Sequence, residues 1–265
     1  MTTTSPTTTP TTPTSTGYAD VNGVHLYHET YGPDDGAPLV LVHGGMLSID
    51  LSWAPLIPLL ADRYRLVAVE VQGHGRTADI HREITPAATA SDVVGLLDHL
   101  GIERAHVLGH SMGGAVALEL AVSHPGRVLS VIGASVSVRA SGMIPELGDP
   151  EQIATSTKMP TPDDFVAMQE TYARLSPTPD AFHAFLARLS ASNADLEGWS
   201  DEQLASITAP VLIVLGDRDF TTIEHGGQML ELIPGSQLAV LPGTTHMEVT
   251  RRTDLLAPMV RAFLG

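Results

Sequence analysis

The sequence predicts an α/β fold: a mostly parallel central sheet with helices on both faces and a helical cap inserted after the sixth strand. Three observations predict it. Continuous Val/Leu/Ile runs recur near Leu39, Arg65, Ala105, Arg127, Pro210 and Leu238, as expected of strands buried on both faces. Stretches of helical period separate those runs, the alternation of a parallel sheet covered on both sides. From Ser137 to about Thr208 the strand signals stop and only helical patterns remain, which marks an insertion.

With 265 residues, 43% of them hydrophobic, the chain can bury one sizeable core, and α/β folds of this length commonly form one domain. Residues 17–136 and 209–265 are expected to form the core and 137–208 the cap. The first sixteen residues, MTTTSPTTTPTTPTST, hold nothing to bury and read as a disordered Thr/Pro-rich tail. They lack the basic start and apolar stretch of a secretory signal, so a cytoplasmic location is expected. Asp plus Glu outnumber Lys plus Arg by 30 to 14, a formal net charge of −16. A field of that sign repels phosphate backbones and anionic lipid, so neither nucleic acid nor a membrane is expected as a partner. No run approaches the roughly 18 apolar residues of a spanning helix. The absence of cysteine excludes disulfides, thiolate metal sites and a cysteine nucleophile.

The elements follow in order. Two strands flank Asn22-Gly23, a hairpin turn signal. LVLVHGG from Leu39 is a buried strand ending in glycines, followed by a helix over SWAPLIPLLADRY. RLVAVEVQGHG from Arg65 is the next strand and turn. TPAATASDVVGLLDHLGI reads as a helix with Thr85 as cap and Pro86 at its first position. AHVLGH is a strand, Met112 to His124 a helix stopped by Pro125, and RVLSVIGASV another strand. The cap carries three helical patterns, TPDDFVAMQETYARL, TPDAFHAFLARL and SDEQLASI. Strand PVLIVLGD, helix EHGGQMLELI, strand SQLAVLPG and a last helix over 251–264 complete the chain.

The chemistry is concentrated in GHSMGG at 109–114. A G-x-S-x-G match is weak alone, but here it joins a strand to a helix, the context of a nucleophile elbow. Glycines at 109 and 113 let strand and helix pass closely, and Ser111 stands on a sharp turn at the sheet edge. A serine hydroxyl needs a base to take its proton, and the base needs a carboxylate to orient it. VLGDRDF and LPGTTHMEV follow the last two strands, so the order is Ser111, an aspartate, then His246 as general base. Asp219 is the chosen acid, and Asp217, nearer the strand end, is read as bracing the loop. His110 is read as structural, His74 as ordering its loop, and His225 as part of the following helix. No spaced His/carboxylate cluster supports a metal site. Attack by Ser111 on a carbonyl makes an oxyanion, for which the N–H groups of Met112 and Gly45 are the expected donors. His43 would hold the glycine turn.

Together HGG at 43–45, EVQGHGRT at 70–77, GHSMGG at 109–114, GDRD at 216–219 and GTTH at 243–246 resemble the α/β-hydrolase fold family. The resemblance covers Tyr18 to Gly265. It departs at Glu70, where the family usually has aspartate. It implies a serine hydrolase acting on a small-molecule carboxylic ester or lactone, without cofactor. Relatives with an aspartate nucleophile, the epoxide hydrolases and haloalkane dehalogenases, are disfavoured by Ser111. The same triad also serves C–C bond hydrolysis, perhydrolysis or hydroxynitrile cleavage, and a hydrolase scaffold can work as a hormone-receptor-like binder. Met46, Leu47, Met143, Met159, Met168, Phe182 and Phe185 suggest an apolar lining for a small to medium hydrophobic ester.

Overall fold

The computed structural model describes residues 11–194 and 198–265. The first ten residues of the Thr/Pro-rich tail lie outside them. The chain begins with β1 (Ser15–Val21) and β2 (Val24–Tyr31), an antiparallel hairpin closed by Asn22 and Gly23, both at positive φ. This corrects the expected boundary of the tail at residue 16. Ser15 and Thr16 pair with Thr30 and Glu29 in the sheet, and Thr14 donates its N–H to the Thr30 carbonyl across 2.8 Å. β-branched threonines suit an extended edge strand, so the end of the tail is drawn into the sheet.

β3 (Ala37–Val42) leads into α1 (Ile49–Trp53), capped by the Ser48 hydroxyl. The single helix expected over 52–64 is not formed. α1 stops before Pro55, and a 3₁₀ turn at Ile57–Leu59 follows. Proline lacks the N–H a helix interior needs and disfavours helical geometry in the residue before it. β4 (Tyr64–Glu70), α2 (Pro86–His99), β5 (Ala105–His110), α3 (Met112–Ser123) and β6 (Val128–Ala134) then alternate. As the sequence predicts, Thr85 caps α2, its hydroxyl accepting the Ala88 N–H.

After β6 the chain leaves the sheet through α4 (Pro150–Thr155), α5 (Pro162–Leu175), α6 (Phe182–Ala194) and α7 (Asp201–Ala205). Reciprocal capping boxes, Thr161 with Asp164 and Ser200 with Gln203, start α5 and α7. α4 had no sequence-level counterpart. β7 (Val211–Arg218), α8 (Ile223–Leu232), β8 (Gln237–Thr245) and α9 (Thr253–Leu264) close the fold.

Among the described residues the sheet has eight strands in the order β1-β2-β4-β3-β5-β6-β7-β8, antiparallel at β1/β2 and β2/β4 and parallel elsewhere. Alternating residues feed two cores. Val40, Val42, Val67 and Val69 pack on one face, with Leu39, Leu41, Leu66 and Ala68 on the other. That is the period-2 signature of strands covered on both sides. A third apolar cluster lies under the cap. No described helix is long and apolar enough to cross a membrane.

Candidate active site

Three side chains converge beyond the C-terminal ends of β5, β7 and β8, where open α/β sheets bind ligands. Ser111 follows β5 directly and opens α3 with φ 53° and ψ −115°. A non-glycine residue in that region is strained, and such strain persists where surrounding structure imposes it. Here two close approaches impose it. A Cβ on Gly109 would lie 2.0 Å from the Gly113 carbonyl oxygen, and one on Gly113 would lie 2.0 Å from that of Val42. Both contacts are with backbone, so only glycine lets β5 turn so tightly into α3 against β3.

His246 follows β8, with Nε2 2.9 Å from Ser111 Oγ and Nδ1 2.6 Å from Asp219 Oδ1. These partners assign the tautomer: Nδ1–H donates to the carboxylate and Nε2 accepts the serine hydroxyl. Asp219 is 3% exposed. Its Oδ1 also accepts the Phe220 N–H at 2.6 Å, while Oδ2 accepts the Ser135 hydroxyl at 2.6 Å and the Gly216 N–H at 3.2 Å. Burial alone pushes this carboxyl upward. The hydrogen bond and charge of His246 outweigh burial, together with the Ser135 and Gly216 donors, and Asp219 is held below the usual carboxylate range.

Asp217 does not reach His246. Its two oxygens accept the N–H groups of Gly243 and Thr244, each at 2.9 Å, which ties the end of β8 to the end of β7. Glu248 accepts both the N–H and the hydroxyl of Thr245 at 2.8 Å. The histidine is therefore bracketed on both sides along the chain. Phe220 stacks on its ring with centroids 4.1 Å apart. Ser135, Phe220 and Glu248 escaped the sequence reading because no spacing rule singles them out.

The turn 44–47 stands beside the start of α3, closed by the Leu47 N–H donating to the Gly44 carbonyl at 3.2 Å. Two buried histidines hold it. His43 Nδ1–H donates to the Gly44 carbonyl at 2.8 Å and its Nε2 accepts the Val71 N–H at 3.2 Å. His74 donates from Nδ1 to the Gln72 carbonyl at 2.9 Å and accepts the Met46 N–H on Nε2 at 3.0 Å. Burial lowers His43 to about 3 and His74 to about 4, so both are neutral. Gly45 lies between these anchors, half-buried, with Leu189 of the cap above it. The Met112 N–H is among the first of α3, which have no intrahelical acceptor. Glu70 is fully buried and accepts the Arg76 N–H at 2.6 Å and its guanidinium at 2.8 Å, so the glutamate closes the loop after β4 upon itself. Burial raises its pKa against the pull of Arg76.

Met46, Leu47, Met168 and Phe182 meet in the apolar cluster under the cap, with Tyr172 and Phe185. A small cavity lies beside them, with Met46, Leu47, His74, Met168, Thr171 and Tyr172 among its walls. Met143 departs from expectation. Its backbone bridges Thr221 at the root of the cap and its side chain is exposed, so it lies outside this cluster. Met159 is half-buried and also outside it. His225 anchors the same root, its Nε2 accepting the Val138 N–H at 3.2 Å. Among the described residues, ion pairs from Arg174 to Asp50, Arg188 to Asp79 and Arg251 to Asp164 join cap to core. Among the described residues no group of three or more His, Asp or Glu is arranged to hold a metal.

Residues 39–258 match the sequence profile of the alpha/beta hydrolase family. The chain is 31% identical to 3-oxoadipate enol-lactonase 1 of Acinetobacter baylyi over 235 residues, which covers 83% of this chain and 85% of the relative. Its fold is similar to the crystal structure of the enol-lactonase from Burkholderia xenovorans LB400, with a TM-score of 0.74, 24% identity and coverage of 93% and 99% of the two chains. The naproxen esterase of Bacillus subtilis gives a TM-score of 0.72 at 21% identity, covering 95% and 91%.

Proposed function

The chain belongs to the alpha/beta hydrolase family, and on that premise we propose that it is a serine hydrolase cleaving a carboxylic ester or lactone through an acyl-enzyme on Ser111. The observation that carries this reading is the continuous hydrogen-bonded line from Ser111 Oγ through His246 to Asp219, at 2.9 and 2.6 Å. In it His246 Nε2 takes the serine proton as Oγ attacks the carbonyl carbon, and the N–H groups of Gly45 and Met112 hold the oxyanion. Collapse breaks the carbon–oxygen bond, and the leaving oxygen departs with the proton from Nε2. Water then gives a proton to Nε2 and attacks the acyl carbon. The second collapse returns that proton to Oγ and releases the acid. Asp219 keeps Nδ1 protonated and steadies the imidazolium that forms twice per cycle.

Identity to an enol-lactonase over most of both chains supports a carbonyl–oxygen bond as the target. The apolar cluster under the cap, with a cavity wall free of charged side chains, supports a small to medium hydrophobic ester. The purified protein is expected to turn over p-nitrophenyl butyrate steadily, and Ser111→Ala is expected to abolish turnover. Absence of turnover across esters and lactones, or a single labelling event without release, would overturn this reading in favour of a binding protein on the same scaffold.

A further inference from the structure

Phe220 is a large apolar side chain that the apolar clusters do not use. Among the described residues it belongs neither to the two cores beside the sheet nor to the cluster under the cap. Its described ring partner is His246, with the planes 15° apart and the centroids at 4.1 Å. Core packing therefore does not account for a phenyl group at this position.

The backbone that carries the ring is fixed on both sides. The Phe220 N–H donates to Asp219 Oδ1 at 2.6 Å, and the Phe220 carbonyl accepts the Ile144 N–H at 2.8 Å. Thr221 bridges Met143, and the Thr222 N–H donates to the Gly142 carbonyl at 2.9 Å. A short antiparallel pairing between the acid loop and the root of the cap thus holds the phenyl group over the imidazole.

The proposed cycle makes His246 positive twice, and the side chain is buried. A charge that forms away from water needs partners already in position. In the plane of the ring both nitrogens are taken, Nδ1 by Asp219 and Nε2 by Ser111. Only the faces remain. The His110 ring, 5.1 Å away, is tilted by 45° and presents no parallel face. A phenyl face carries the negative part of the ring quadrupole and attracts a cation stacked upon it. From this we infer that Phe220 is a catalytic residue, whose ring face stabilises the His246 imidazolium as the serine is acylated and deacylated. The inference rests on the acyl-enzyme reading above and adds to it a contact that strengthens only when the imidazole becomes charged.

The test replaces Phe220 by 4-fluoro-, 3,5-difluoro- and 3,4,5-trifluorophenylalanine, which keep the ring shape and progressively strip its face of negative charge. Turnover of p-nitrophenyl butyrate is read per active serine, counted by titration with a fluorophosphonate. The expected result is a kcat that falls with each fluorine, on the order of 10-fold in all, with KM little changed. That is the size of a sheltered cation–π contact and the pattern of one made only in the transition state. A kcat that stays level across the series overturns the inference, because a ring that merely shapes the loop does not sense its fluorines. Phe220→Leu is expected to lose at least as much as the trifluoro ring. A loss in Phe220→Leu beside a level series gives the ring a packing role and likewise overturns the inference. If the serine is labelled but no ester is turned over, the labelling rate, which also depends on His246, is read across the same series with the same two outcomes. Protein that is neither labelled nor active refutes the acyl-enzyme reading, and the inference with it.

Discussion

His110, the residue immediately before Ser111, donates its Nε2–H to the backbone carbonyl of His246 across 3.0 Å. One side chain thus links the serine turn to the loop that carries the imidazole. His110 is 1% exposed, and its Nδ1 is buried without a partner. Burial, reinforced by the proximity of His246, lowers it to about 3, so it is neutral. His110→Phe keeps the ring volume and removes the donor. The expected result is a fall in kcat on the order of 10- to 100-fold with KM little changed, since small misplacements of a reacting group cost that much. His110→Gln, which restores an N–H, should recover part of the loss. Steady-state kinetics of the three proteins check both expectations.

Acid should unfold the protein earlier than its carboxylates alone would cause. His43, His74 and His110 have folded values of about 3, 4 and 3, below the ordinary 6.5. Between those values the unfolded chain binds protons that the folded chain refuses, so stability falls as pH drops from about 6.5 towards 4. Each such histidine contributes up to about 1.4 kcal/mol per pH unit in that window. Asp219, held below the carboxylate range, adds its own loss only at still lower pH. Urea midpoints from pH 7 to 4 measure the slope, and replacing His43 by a neutral residue should flatten it.

The two aspartates of GDRD should separate cleanly. Asp219→Asn preserves shape but no longer fixes Nδ1–H, and the expected loss in kcat is ~10⁴-fold. Asp217 holds only backbone N–H groups, so Asp217→Asn should lower the melting temperature while leaving kcat far closer to wild type. Equal losses in kcat from both substitutions would contradict this division.

Gly113→Ala tests the close packing beneath the serine. The added carbon would sit 2.0 Å from the Val42 carbonyl oxygen and 2.6 Å from that of His43. Neither atom can yield without moving β3, so destabilisation of about 3 kcal/mol or more is expected. Thermal or urea unfolding measures it.

The sheet was legible because its strands are continuous apolar runs, and Ser111, Asp219 and His246 because each ends one of those strands. Reach settled the choice between Asp217 and Asp219. One carboxylate lies level with the β8 loop and spends both oxygens there, whereas the other projects past it to the imidazole. Less was legible where tertiary contact overrides local pattern. The apolar spacing of 52–64 imitates a helix that Pro55 forbids. The Ser15 pairing depends on a partner strand that a low-complexity segment does not announce. Met143 was grouped with the lining by residue type, yet its backbone bridge to Thr221 leaves the side chain in solvent. Ser135 acts through a hydrogen bond to a residue 84 positions away, a relation that no local pattern encodes.

The sheet order carries a consequence for biosynthesis. Ser111 directly follows a central strand made before mid-chain, whereas His246 follows the last strand, at the far edge. A nascent chain short of residue 246 can shape the serine turn but has nothing to prime it. On the proposed reading, such a polypeptide stays inert towards esters until residue 246 has left the ribosome, and a cut a few residues before that histidine would abolish turnover while sparing most of the core.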